Sequence, residues 1–217
     1  MMRCVVLLAG VMTMPVAWAQ YGLDELPADL VSEYETLRAQ VERDPEALDG
    51  VIRAGRERAI FCNTCHGDDG NAERPTYPAL AGQNADYLLD QIEQFAAGTR
   101  EKKVMNVLAA TFSNQEKVTL ALYYSHMPRE RPGIDPQLAQ RGAAAYQLRC
   151  AQCHGADGRG EQGYARIAGQ QPGYIAKVLR EYRNGESPRR LSPMYGVAAA
   201  LDESVIDAIA HYAASLR

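Results

Sequence analysis

The most specific chemistry in the chain lies in two short stretches, Cys62-Asn63-Thr64-Cys65-His66 and Cys150-Ala151-Gln152-Cys153-His154. In each, the thiols stand about one helical turn apart, so both sulfurs can reach the same edge of a flat ligand. The adjacent imidazole then falls beneath the ligand's centre. This spacing suits thioether bonds to the two vinyl groups of a haem, with His66 and His154 on the irons, and it is the sequence sign of covalent haem attachment. Other uses of paired cysteines compete with that reading. A zinc ribbon sets its pairs closer than the 84 residues between Cys65 and Cys150. A thioredoxin-like pair wants a βαβ context, and structural disulfides leave the histidine after each pair unexplained.

The opposite side of each ring needs a ligand from farther along the chain. Met105 lies 39 residues after His66, and Met194 lies 40 after His154. A lone methionine is more often core filler, but two at equivalent positions point to iron. A thioether favours ferrous iron, so His/Met pairs predict two high-potential, six-coordinate haems with no open position for a substrate. His126 and His211 do not correspond to one another and read as surface or helix-end residues.

The equivalence rests on an internal repeat. The Cys-x-x-Cys-His stretches match at an offset of 88, Tyr77 to Gln83 matches Tyr164 to Gln170 at 87, and Met105 matches Met194 at 89. Small changes of offset are loop insertions between two copies of one unit. Asp44-Pro45 and Asp135-Pro136 each predict a helix start, a helix follows over about 84–97 and 171–184, and Ser113 with Glu116 predicts a capping box. The reading is three short helices per copy, with the methionines in loops before the last one. No strand alternation stands out, so the fold class is all-α. Units of roughly 80 residues are marginal on their own apolar surface, and a haem supplies the missing mass.

The ends and the charge add context. Arg3, the apolar run Val5 to Val16 and Ala17-Trp18-Ala19 predict a signal peptide over 1–19, which would remove Cys4 and Trp18 and leave a periplasmic protein with four cysteines. No other stretch reaches spanning length. Residues 20–50 carry nine acids and two bases, whereas 51–217 carry twenty bases and eighteen acids. No basic tract suggests nucleic acid. The predicted layout is an acidic extension over 20–43, a first domain over 44–126, a linker over 127–134 and a second domain over 135–217. Leu30, Val31, Tyr34, Leu37 and Val41 share one helical face of the extension, which would pack on the first domain or dock a partner. Arg100, Lys102, Lys103, Arg189 and Arg190 would ring an exposed haem edge facing an acidic partner, or form a solvated loop.

With both Cys-x-x-Cys-His stretches, the two Ala-Gly-Gln segments and the paired methionines in place, residues 44–217 resemble the dihaem cytochrome c4 family. The resemblance implies a tandem of two cytochrome c-like domains about a pseudo-twofold axis, each wrapped around one covalent haem c, with propionate edges facing one another. It also implies a backbone carbonyl behind each ligand histidine: Pro78 fits the family pattern, while Ala165 departs from it. The expected function is periplasmic electron transport between redox proteins such as a terminal oxidase, a dehydrogenase or another cytochrome. The alternative is a bound electron-accepting subunit of a dehydrogenase, for example one acting on sulfur compounds, with peripheral association to a membrane complex. A dihaem enzyme would need an open iron, which the methionines argue against.

Overall fold

The computed structural model describes residues 22–160, 163–189 and 192–217. The expected signal peptide lies outside these residues. After a single 3₁₀ turn, the described chain forms α1 (Ala28–Val41), α2 (Pro45–Arg58), α3 (Ile60–His66), α4 (Ala85–Ala96), α5 (Lys103–Ala109) and α6 (Asn114–His126). The second half repeats the last five as α7 (Pro136–Arg149), α8 (Ala151–His154), α9 (Pro172–Arg183), α10 (Met194–Ala199) and α11 (Glu203–Ser215). An isolated bridge between Arg100 and Arg189 accompanies the helices.

Local chemistry explains the starts. The Asp44 carboxylate accepts from the Glu46 amide at 2.9 Å, and the Asp135 carboxylate accepts from the Gln137 and Leu138 amides at 2.8 and 3.1 Å. Each acid precedes a proline whose missing N–H costs nothing in the first turn. Ser113 and Glu116 make the reciprocal capping box that opens α6.

Each half holds five helices where the sequence suggested three. The cysteine stretches wind into short helices of their own, and so do the segments that carry the methionines. Asn106 shows how α5 is held, because its side chain accepts from the Lys102 amide at 2.6 Å and donates to the carbonyls of Phe95 and Arg100 at 2.8 and 2.7 Å. Helices of four to seven residues are too short to display a period, so sequence reading took the methionine segments for loops and did not separate the cysteine turns from the helix before them.

The first and last helices of each half cross at a glycine. A side chain at Gly55 on α2 would collide with Tyr123 of α6, and one at Gly142 on α7 would collide with the Ala208 carbonyl of α11. Gly55 and Gly142 are neighbouring rather than matching positions of the repeat, yet each permits the backbone approach that fixes where its two helices meet.

The amino-terminal extension packs on the first half. Leu30, Tyr34 and Val41 of α1 are buried with Val118, Leu120, Leu122 and Tyr123 of α6. Burial of a leucine such as Leu30 stabilises by about 1.5–3 kcal/mol. Asn114 also donates to Asp29 at 2.9 Å. The second half has no such cover, and its positions matching Val118 and Leu122 are Asp207, which is exposed, and His211, which is half-exposed.

Replacing Gly142 by Ala should therefore destabilise the protein by about 1–3 kcal/mol in denaturant unfolding, through overpacking of α7 against α11. Gly50→Ala on α2, where a new methyl group meets nothing within 4 Å, should stabilise by about 0.5–1 kcal/mol. A neutral Gly142→Ala would contradict the crossing described above.

Candidate functional site

Cys62, Cys65 and His66 lie on α3, which begins one residue after α2 ends, while Cys150 forms the junction of α7 with α8 and Cys153 and His154 follow on α8. Among the described residues, neither cysteine pair is closed by a disulfide. Burial pushes the Cys62 thiol up, and pushes Cys150 up to about 11. Among the described residues, no three His, Cys, Asp or Glu side chains converge on a point where a metal ion would sit.

Each histidine is oriented from behind. The His66 Nδ1 lies 2.9 Å from the Pro78 carbonyl oxygen, and the His154 Nδ1 lies 2.8 Å from that of Ala165. A carbonyl only accepts, so it fixes the proton on Nδ1 and leaves the Nε2 lone pair for a metal. The absence of a proline at 165 does not matter, since the acceptor belongs to the backbone. Burial holds both imidazoles below their ordinary value and keeps them neutral. A tyrosine edge completes each environment, with Tyr77 6.4 Å from His66 and Tyr164 6.3 Å from His154 between ring centroids.

Met105 lies in the third position of α5 and Met194 opens α10, both half-buried. Met194 packs against the core of the second half. His126 is exposed at the end of α6, with Nδ1 2.8 Å from the Leu122 carbonyl. His211 accepts from the Asp135 amide at 2.8 Å. Both therefore stand at helix-end or surface positions.

The halves meet through paired polar devices that sequence reading missed. Gln170 Oε1 accepts from the Ala79 amide at 2.8 Å and its Nε2 donates to the Ala79 carbonyl at 2.9 Å. Gln83 grips Arg166 in the same way, at 2.7 and 2.8 Å. Asn84 donates to carbonyls of residues 159, 160 and 164, and its counterpart Gln171 donates to the Ala72 carbonyl. The signal lay in the repeat itself, since the Ala-Gly-Gln segment recurs with its glutamine intact.

Farther along this contact, Arg100 reaches Tyr174 at 3.4 Å, Arg189 reaches Tyr87 at 3.3 Å, and both donate to Gln91. Arg100 is 9% exposed, and desolvation pulls its guanidinium below the ordinary value. The expected ring of exposed bases is thus corrected, because Arg100 and Arg189 pair across the halves rather than face a partner. Lys102 and Lys103 are exposed, Lys102 stands 3.5 Å from Glu181, and Arg190 lies outside the described residues.

These residues fit a haem in each half. Two thiols and a neutral imidazole stand on one face, and a methionine-bearing helix precedes the last helix. At the contact, the buried Arg100 and the half-buried Arg189 are bonded to neutral oxygens, and the Arg100 Nε has no protein acceptor. A buried cation in that position is suited to a carboxylate, which the propionates provide.

Comparison with known proteins agrees with this geometry. A family model described as cytochrome c matches residues 139–217. Cytochrome c4 of Azotobacter vinelandii is 33% identical over 184 residues, covering 75% of this chain and 88% of the relative. A thiosulfate dehydrogenase electron acceptor of Thiomonas intermedia is 32% identical over 180 residues, covering 75% and 81%. The crystal structure of reduced recombinant cytochrome c4 from Pseudomonas stutzeri superposes with a TM-score of 0.71 at 31% identity, covering 76% of this chain and 98% of that one.

Pro78→Ala should leave the His66 Nδ1 proton as slowly exchanging in NMR as in the parent, because Ala165 already makes the equivalent bond. The stability cost should stay near 0.4–1 kcal/mol, from added freedom of the unfolded chain. Rapid exchange at His66 alone would show that the proline ring itself is needed.

Proposed function

The chain belongs to the dihaem cytochrome c4 family, and from that premise we propose that His66 with Met105 and His154 with Met194 ligate its two irons. The protein is an electron carrier with two covalent haem c groups, not an enzyme. Haem supplies a reversible one-electron site, and the residues of this chain govern how it is held. Cys62 and Cys65 anchor one haem, and Cys150 and Cys153 the other. The carbonyls of Pro78 and Ala165 set the imidazole planes, and the thioethers of Met105 and Met194 favour the ferrous state.

The observation that carries the ligand assignment is the paired Nδ1–carbonyl bond at 2.9 and 2.8 Å. It is repeated at equivalent positions and leaves Nε2 free on both histidines. Arg100, Arg189, Tyr87 and Tyr174 would then receive propionates at the contact between halves, where the Arg100 Nε has no protein acceptor. We further assign 44–126 and 135–217 as the two cytochrome c domains, 127–134 as the linker, 20–43 as an added segment and 1–19 as a signal peptide removed on export to the periplasm. Among the described residues, no helix is long and apolar enough to cross a membrane.

A second reading has its own support. The similarity to a thiosulfate dehydrogenase electron acceptor favours a partner that delivers electrons from sulfur-compound oxidation, either in passing or as a bound subunit. Purification from the native host separates the two, since a stoichiometric dehydrogenase through gel filtration supports the subunit and a free chain supports the shuttle.

A redox titration of the haem-loaded protein, following the near-infrared band of methionine-ligated ferric haem, tests the ligands. Met105→Ala and Met194→Ala should each remove about half of that band and lower one of two midpoint potentials. An unchanged band in either variant would transfer that iron's sixth position to another residue.

A further inference from the structure

The two glutamines do more than join the halves. The carbonyl of Pro78, which accepts from His66, and the N–H of Ala79, which donates to Gln170, are two ends of one planar peptide group. The peptide between Ala165 and Arg166 likewise accepts from His154 and donates to Gln83. A chain of bonds therefore runs from each histidine, through one peptide, to a glutamine of the opposite half. Gln83 and Gln170 are only 5% and 4% exposed, so these bonds are shielded from water.

We propose that Gln83 and Gln170 are crossed positioning residues, each setting the electron donation of the iron-ligand histidine in the other half. The inference rests on the ligand assignment given above. A peptide whose N–H is engaged carries more negative charge on its oxygen, since bonds in a chain polarise one another. That oxygen draws harder on the imidazole Nδ1 proton, and a more basic imidazole stabilises ferric iron and lowers the reduction potential. Each glutamine also donates from Nε2 to the next carbonyl, Ala79 or Arg166, at 2.9 or 2.8 Å. This second bond keeps the peptide plane from turning away from the histidine. Further, the same Oε1 accepts from the Asn84 or Gln171 amide at 3.0 or 2.9 Å, which locks the glutamine to the start of its own helix.

The consequence is a crossed dependence. Neither half sets the potential of its own haem alone, and a change in the second half is read out at the first.

The test uses the full-length, haem-loaded protein with Gln170→Met and Gln83→Met, which keep side-chain length but remove the amide. Each haem is titrated separately through its hyperfine-shifted methyl resonances in NMR, assigned by the set lost in Met105→Ala or Met194→Ala. Gln170→Met should raise the midpoint of the His66 haem and leave the His154 haem in place, and Gln83→Met should do the reverse. Equal shifts of both haems, a shift confined to the variant's own half, or no shift would overturn the relay.

Should Gln170→Met fail to fold, Gln170→Glu provides a stronger acceptor of the same length. The His66 haem should then fall in potential more than the other, and equal falls would overturn the proposal. Parent spectra lacking His/Met low-spin signatures would instead overturn the ligand assignment, so the two failures are distinguishable.

Discussion

The crossing of the first and last helix is the contact on which each half depends. Gly55 and Gly142 let α2 and α7 approach α6 and α11 until backbone nearly meets side chain or carbonyl. That crossing places the cysteine helix, which follows the first helix directly, and the methionine helix, which precedes the last. The proposed ligands for both sides of each haem would thus be referred to one joint. The remaining helix, α4 or α9, closes the unit and carries the contact to the other half.

At that contact the energetics are unusual for a protein interior. Arg100 is buried and Arg189 half-buried beside it, with neutral tyrosine and glutamine oxygens as their protein partners. Asp90 is buried nearby, but its carboxyl bonds to Gln91 and Gln94 and burial pushes it up toward the neutral form. Unpaired buried charge costs several kcal/mol per ion. Haem propionates directed at this contact would turn that liability into charge-assisted hydrogen bonds, so the contact would depend on the cofactors as much as on its side chains.

Much of this was legible in the sequence because the repeat supplied two readings of every position. Asp-Pro starts, the capping box and the recurring glycines after the middle helices are local signals, and they act locally. The short helices were not legible as separate elements, since four to seven residues show no period. The burial of Arg100 was missed for a different reason: a base before a methionine looks the same in a solvated loop and in a contact between halves. The cover provided by α1 did leave a trace. Val118 and Leu122 are apolar where their counterparts Asp207 and His211 are polar, and comparing the two last helices position by position points to an extra neighbour on the first. The role of Gln83 and Gln170 was hidden because their partners lie 83 and 91 residues away.

The segment between α6 and α7 is woven into the structure. Asn71 donates to the Pro128 carbonyl and accepts from the Glu130 amide at 3.0 and 2.9 Å. Arg129 threads between Gly82 and Gly169, close enough that a methyl group on either would crowd it. The connection is therefore tied to both halves, as a strut rather than a free hinge. With the halves joined in this way, an electron passing between two haems would have no domain swing to wait for, whereas its delivery to an outside partner would still depend on a diffusional encounter.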